Sequence, residues 1–254
     1  MRPDILTPLF CSIECLKGIG AKYLKLVSSL IGGGKVVDVL WHFPYNVIDR
    51  TYTCPIRQIE AGKIWTGGVK GAEHLPPETK SQPYRVICED ETGDMTLNFF
   101  KFYKDSIQKQ LPLGAKKIIS GKTEWFNGQI QMSHPDYIAD VNSADKIAGI
   151  EPVYPLCGGV TNKMMRWYAS QSLQKVPDLP EWCDENFMKA QRFPPFKEAI
   201  NKVHTPLTQA DLSPLSPYRK RLAYDELLSN QLTLALARRY HRKKEGRVFK
   251  GSGI

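Results

Sequence analysis

Between about residues 60 and 140 the apolar and polar positions alternate with a period of two, whereas on either side the spacing is that of helices. Tyr84, Val86 and Cys88 alternate with Arg85, Ile87 and Glu89, and after the turn Asp90-Glu91-Thr92-Gly93-Asp94 a strand from Met95 to Phe100 returns. Lys63 to Leu75 predicts a long first strand, with Gly67-Gly68 as the place for a bend or bulge. Lys104 to Leu111 predicts a helix, stopped by Pro112 and Gly114. Lys116 to Phe126 and Gln129 to Tyr137 flank Asn127-Gly128, a strong hairpin signal because both residues tolerate the positive φ that a tight turn needs.

Residues 1 to about 50 place Ile13, Leu16, Leu24, Val27, Leu30 and Ile31 at helical spacing, broken at Gly18-Ile19-Gly20 and Gly32-Gly33-Gly34. Beyond 150, Thr161 is an N-cap for a helix through Lys175, and Pro194-Pro195 opens another running to His204. A last long helix spans about Leu215 to Glu245, with Leu228, Leu232 and Ala235 on one face, widened by Leu227 and Leu234. The expected class is therefore α+β: a five-stranded OB-fold β-barrel, with its helix between the third and fourth strands, flanked by N-terminal and C-terminal helical segments. The corresponding divisions are 1–55, a helical lead-in; 56–148, the OB-fold; and 149–254, a helical linker ending in a long basic helix.

Composition narrows the picture. With 254 residues, 42% hydrophobic and 24% charged, the chain is globular. No apolar run approaches the roughly 20 residues that cross a bilayer. The N-terminal stretch is interrupted by Pro3, Asp4, Pro8 and Glu14, so a soluble, unexported, cytoplasmic protein is expected. The six cysteines form no CxxC pair and have no histidines at zinc spacing. Net charge is +9 but unevenly spread: Arg219 to Ile254 holds ten Lys/Arg against three acids, and Lys101 to Lys122 holds six lysines against Asp105 alone. A positive side on the strand-rich segment suits a groove that tracks a phosphate backbone.

Several enzyme classes lack their residues. Gly34-Lys35 has Ser29 where a P-loop needs its first glycine and Val36 where it needs Ser/Thr, so no loop cradles phosphates or holds magnesium. There is no G-x-S-x-G elbow and no H-E-x-x-H, and the five histidines (42, 74, 134, 204, 241) are scattered without assignable partners. No catalytic constellation emerges. Instead, Phe99-Phe100-Lys101-Phe102-Tyr103-Lys104 sets four aromatics and two lysines side by side, combining base-stacking surface with phosphate-seeking charge. Alternation puts Leu97 and Phe99 on one strand face and Phe100 on the other, so Phe99 is expected in the core and Phe100 outside. The candidate DNA-binding residues are Phe99, Phe100, Lys101, Tyr103, Lys104, Lys116, Lys117 and Lys122. Trp125-Phe126 at the hairpin could touch DNA, though packing is the expected use. Leu16-Lys17-Gly18-Ile19-Gly20 has the form of a turn whose glycine amides meet a phosphate, and reads more readily as structural.

In series, Leu16-Lys17-Gly18-Ile19-Gly20, Val37 to Pro44 with Asp49-Arg50, Phe99-Phe100, His134-Pro135-Asp136-Tyr137, Pro152 to Pro155 with Gly159-Val160-Thr161, His204-Thr205-Pro206, and Arg221 to Leu228 with Gln231-Leu232 resemble the N-terminal part of RecG, the ATP-dependent branch-migrating DNA helicase, over nearly the whole chain. That resemblance implies a wedge domain that sits at a replication fork or Holliday junction in DNA repair and recombination, splitting strands while two motor domains pull the duplex. It implies that Phe99-Phe100 occupies the position of aromatics stacking next to the branch point. The family's further aromatic, four positions on, is matched by Lys104, with Tyr103 one residue earlier.

The motor is expected beyond Ile254, so this portion would be non-catalytic by itself, with no cofactor of its own and Mg-ATP acting only in the motor domains. Its expected partners are branched DNA, the RecG-like motor domains and the single-strand-binding protein, with no membrane, and it is expected to be a monomer. Two rivals remain: an OB module binding single-stranded DNA nonspecifically, and a protein-interaction scaffold that binds no DNA alone.

Overall fold

The alternation at Tyr84, Val86 and Cys88 becomes an antiparallel strand pair whose inward positions are sealed, with Tyr84 opposite Phe99, Val86 opposite Leu97 and Cys88 opposite Met95. The computed structural model describes residues 3–79, 81–100, 103–147 and 149–242. Its strands are β1 (Asn46–Asp49), β2 (Ile64–Leu75), β3 (Tyr84–Glu89), β4 (Asp94–Phe99), β5 (Lys116–Phe126), β6 (Gln129–Ser133), β7 (Tyr137–Asp140) and β8 (Ile150–Val153). Its α-helices are α1 (Thr7–Phe10), α2 (Ala21–Ile31), α3 (Val36–Trp41), α4 (Lys104–Gln110), α5 (Asn162–Leu173), α6 (Glu185–Gln191), α7 (Phe196–His204) and α8 (Pro217–Arg242). Two units result: Val47–Pro152, and Met1–Asn46 together with Val153–Ile254.

In the first of these, the sheet order is β2-β3-β4-β6-β5-β7, and β2 also pairs with β5. The pairing path from β2 through β3, β4, β6 and β5 thus returns to β2. All neighbours are antiparallel except β4 and β6, which run parallel through Thr96–Gln131, Leu97–Met132 and Asn98–Ser133. Trp65, Val69, Val86, Leu97, Ile119 and Met132 fill the interior with Ile107 and Leu111 from the α4 region. Burial of each such side chain is worth about 1.5–3 kcal/mol.

Two local expectations are corrected. The irregularity in β2 lies between Gly71 and Glu73, not at Gly67-Gly68, where the register with β5 is unbroken from Ile64 to Lys70. Gly67 serves close approach instead, since a Cβ there would stand 2.1 Å from the Trp65 ring. The expected Gln129–Tyr137 strand is split: β6 ends at Ser133, His134 takes φ 49°, and after Pro135 the chain resumes as β7, paired with β5. The chain also forms a second sheet, β1 with β8, that no local pattern announces. Beside it Arg50 is buried, its Nε donating to Glu151 at 2.7 Å and its Nη1 to Asp136 at 3.0 Å and Ser120 Oγ at 3.1 Å. Burial alone would lower the Arg50 pKa, but the hydrogen bonds and charges of Glu151 and Asp136 outweigh it and raise it above its ordinary value.

In the other unit the lead-in and the C-terminal helices share their cores. Ile13, Leu16, Val27 and Val39 pack with Met165 and Tyr168, while Leu9 and Leu40 pack with Ala199, Ile200, Val203 and Leu222. Thr161 caps α5 by accepting from the Met164 N–H. Pro195 stands at the N-cap of α7 rather than within its first turn. Arg221 is buried between Glu181 (2.7 Å) and Asp225 (2.9 Å), anchoring the start of α8. Farther along, the apolar stripe expected of this helix faces outward, with Leu227, Leu232, Leu234 and Leu236 exposed. Among the described residues no helix is long and apolar enough to cross a membrane, and no group of three or more His, Cys, Asp or Glu could hold a metal ion.

Candidate nucleic-acid interface

Strand alternation decides the fate of the two phenylalanines. Phe99, the last residue of β4, is 8% exposed and belongs to the sheet core; Phe100, one position on, is 58% exposed. His134, in the bend after β6, fixes this strand end. Its backbone N–H donates to Asn98 O at 2.9 Å, and its Nε2 accepts from the Phe100 N–H at 3.1 Å. The imidazole sits edge-on to Phe99 and tilted against Phe100, with centroids 6.1 and 5.9 Å apart. The sequence left His134 among the histidines without an assignable partner, because its role depends on a parallel strand pairing that no local pattern encodes.

Lys101 lies outside the described residues, as does Phe102. Tyr103 caps α4 with its carbonyl, accepting from Ser106 and Ile107, and leaves its ring 86% exposed; Lys104 follows as the first helical residue, also exposed. Lys122 is exposed on β5, two residues from Glu124 and on the same strand face. Lys116 stands at the far end of β5, beside the acidic turn of Glu89, Asp90 and Glu91. Lys117 is mostly buried and bonded to Asp140 at 2.5 Å. Lys122 and Glu124 thus share one face of β5, whereas Lys116 and Lys117 lie at its other end.

The outer sheet face next to Phe100 forms a trough of about 550 Å³. Register builds it: Arg85 stands opposite Asn98 and Asn98 opposite Ser133, while Gln131 lies between Thr96 and Glu124. The Asn127-Gly128 turn, with φ of 50° and 77°, carries Phe126 to the rim. Trp125 and Phe126 are 60% and 61% exposed, so neither is spent on packing, contrary to expectation. None of the polar side chains in the trough was singled out from the sequence. The signal that could have found them is the run of polar residues at outward positions 94, 96 and 98 and 129, 131 and 133.

The Leu16–Gly20 turn and the basic end of α8 differ in kind. The Leu16–Gly20 turn is engaged by α5: the Lys17 N–H donates to Gln171 Oε1 at 2.7 Å, Lys17 O accepts from Trp167 Nε1 and Gln171 Nε2, and Gly18 O accepts from the Tyr168 hydroxyl. This is a structural turn by its contacts. At the end of α8, Arg238 and Arg239 are exposed; Lys243 and Lys244 lie outside the described residues.

The paired strands present amides and aromatic rings on one outward sheet face, with loops at their ends. The profile described as the RecG wedge domain matches residues 12–176, and the chain belongs to that family. It is 28% identical over 237 residues to the ATP-dependent DNA helicase RecG of Bacillus subtilis, covering 92% of this chain and 33% of that protein. To its counterpart in Aquifex aeolicus it is 26% identical over 251 residues, covering 93% and 31%. The chain thus spans about a third of the length of these relatives. A solved structure of RecG bound to a three-way DNA junction superposes with a TM-score of 0.70 at 23% identity, covering 96% of this chain and 32% of that one. The sheet resembles that of the RecG wedge domain.

Proposed function

We propose that this chain is the branched-DNA-binding, strand-separating wedge of a RecG-like DNA helicase, non-catalytic by itself. In this reading the circuit of pairings from β2 back to β2 is a closed OB-type barrel, and the Phe100 ring stacks on the base next to the branch point. Such a stack is worth about 1–3 kcal/mol. Tyr103 offers a second ring, Lys101, Lys104 and Lys122 meet phosphates, and Lys116 and Lys117 contribute charge at longer range. Phe99 supports the site from the core. The observation that carries the reading is the exposed Phe100 ring, held at the end of β4 by His134 in a chain of the RecG wedge-domain family.

The protein works as a cytoplasmic monomer and needs no cofactor here; Mg-ATP acts in RecG-like motor domains. The exposed Leu227, Leu232, Leu234 and Leu236 of α8 favour this helix as the strut that meets those domains. The single-strand-binding protein is a further partner in this reading.

Fluorescence anisotropy of a labelled three-way fork, a duplex and a single strand tests the proposal at two salt concentrations. The fork is expected to bind most tightly, with Phe100→Ala losing about 5- to 150-fold. Equal affinity for fork and single strand would replace the wedge by a nonspecific single-strand binder. Absence of any DNA binding at low salt would leave a protein-docking scaffold.

A further inference from the structure

We propose that the trough beside Phe100 is a pocket for one unpaired nucleobase that selects bases carrying an exocyclic amino group, taking cytosine over thymine. This deepens the wedge reading and rests on it. The trough's size suits an organic ligand rather than a single ion. Its rim supplies two aromatic rings, Phe100 and Phe126, and among the described lining residues its walls supply amides, hydroxyls, one guanidinium, Arg85, and one carboxylate, Glu124. Two rings at the rim suit a flat base better than a phosphate, and the Glu124 carboxylate repels a phosphate on its side of the trough.

The hydrogen-bond polarity of the floor then sets which base. Glu124 accepts through Oε1 from Ser133 Oγ at 2.8 Å and from Gln131 Nε2 at 3.4 Å. Because a carboxylate only accepts, the Gln131 amide must turn its NH2 toward Glu124 and its oxygen away. That oxygen accepts from Asn98 Nδ2 at 2.7 Å, which in turn fixes the Asn98 amide. The chain of donors ends with two acceptors, Glu124 Oε2 and Asn98 Oδ1, neither of which receives a hydrogen bond from a described residue. Asn98 is buried overall yet lines the trough.

At the Glu124 and Asn98 oxygens the pocket therefore asks for N–H donors, while Arg85, opposite Asn98, offers its own N–H groups to the ring acceptors of a base. The exocyclic N4 amino group of cytosine satisfies a carboxylate oxygen directly. Thymine has O4 at the same place, so its lone pairs would face the negative charge of Glu124, and its single ring N–H lies between two acceptors. Adenine presents an amino group as cytosine does, but the pyrimidine pair isolates the chemistry, since cytosine and thymine are of similar size. A correct contact of this kind discriminates by about 1–3 kcal/mol, or about 5- to 150-fold.

The test compares oligodeoxycytidylate and oligodeoxythymidylate of equal length, by anisotropy at neutral pH, for the wild-type chain, Glu124→Gln and Phe100→Ala. The side chain of Glu124 is exposed, so the substitution leaves the fold in place, which far-UV circular dichroism checks. Cytosine is expected to bind at least about 5-fold more tightly; Glu124→Gln should erase that ratio, and Phe100→Ala should weaken both ligands by a similar factor. Equal wild-type affinities would overturn the pocket's selectivity while leaving the wedge reading untouched. So would a Glu124→Gln variant that binds both oligonucleotides more tightly by one common factor, because the carboxylate would then act only as a charge. Fork binding without binding of either oligonucleotide would also sink the pocket alone, whereas loss of all DNA binding would sink the wedge reading with it.

Discussion

His204 at the end of α7 is almost fully enclosed, with Nε2 2.9 Å from Leu40 O and Nδ1 2.9 Å from the Tyr154 hydroxyl. A carbonyl only accepts, so the neutral ring carries its proton on Nε2, and Nδ1 accepts a hydrogen bond from the Tyr154 hydroxyl. Burial, with the nearby charges of Arg219 and His42 acting in the same direction, pushes its pKa down from 6.5 to about 4. A base with a depressed folded pKa stabilises the fold above its unfolded pKa and loses that stabilisation as pH falls toward the folded value. The window is thus about pH 6.5 down to about pH 4. The full term is about 3 kcal/mol, and between about pH 7 and about pH 5 the loss comes to about 2 kcal/mol.

Urea titrations of the wild type and of His204→Gln, followed by far-UV circular dichroism at those two pH values, measure it. Glutamine keeps a donor for Leu40 O but cannot be charged, so its own stability should change little across the interval. Asp49, Asp90 and Asp211 have lowered pKa values and protonate below this window, while Glu181, lowered by Arg221, and Asp225, raised by burial, are common to both proteins and cancel in the comparison. Equal losses in the two proteins would refute the assignment of the pH dependence to His204.

Other predictions follow from burial and pairing. Phe99→Ala should cost about 3–5 kcal/mol of stability in urea denaturation and Phe100→Ala less than about 1 kcal/mol; similar losses would contradict the two-faced assignment of β4. Arg50→Met leaves Glu151 buried without its cation and should cost about 3–5 kcal/mol, much of it recovered by adding Glu151→Gln; a double variant as unstable as the single one would refute the ion-pair account. The Cys88 thiol, which burial pushes up to about 12, should react with a disulfide reagent only as fast as the protein unfolds, whereas the exposed Cys15 should react at once. Rapid modification of all six cysteines in native buffer would show the sheet interior to be open.

What the sequence displayed most legibly was local. The Tyr84, Val86, Cys88 alternation, the Asn127-Gly128 turn and the Thr161 cap each depend on residues a few positions apart, and each stands where the pattern put it. Contacts made across long stretches of chain were not legible. The β1–β8 pair and the Arg50–Glu151 bond join residues about a hundred apart, and four-residue strands leave too short a period to read. The packing of the lead-in onto the α5 and α7 helices was hidden for the same reason. In the candidate site, alternation separated Phe99 from Phe100, but the Asn98–Gln131–Glu124 chain depends on β4 lying parallel to β6, a pairing of strands that are not consecutive.

The way β4 ends has a mechanical side. The peptide groups flanking Phe99 are both tied to His134, one through its backbone and one through its ring, and β4 continues into three parallel pairs with β6. A load pressed along the strand onto the Phe100 ring is therefore carried by several hydrogen bonds sharing it in shear, instead of opening one after another as in peeling. An aromatic ring mounted this way can be pushed against a stack of bases without its strand giving way first, so the stiffness of the tip comes from the backbone rather than from the side chain at its point.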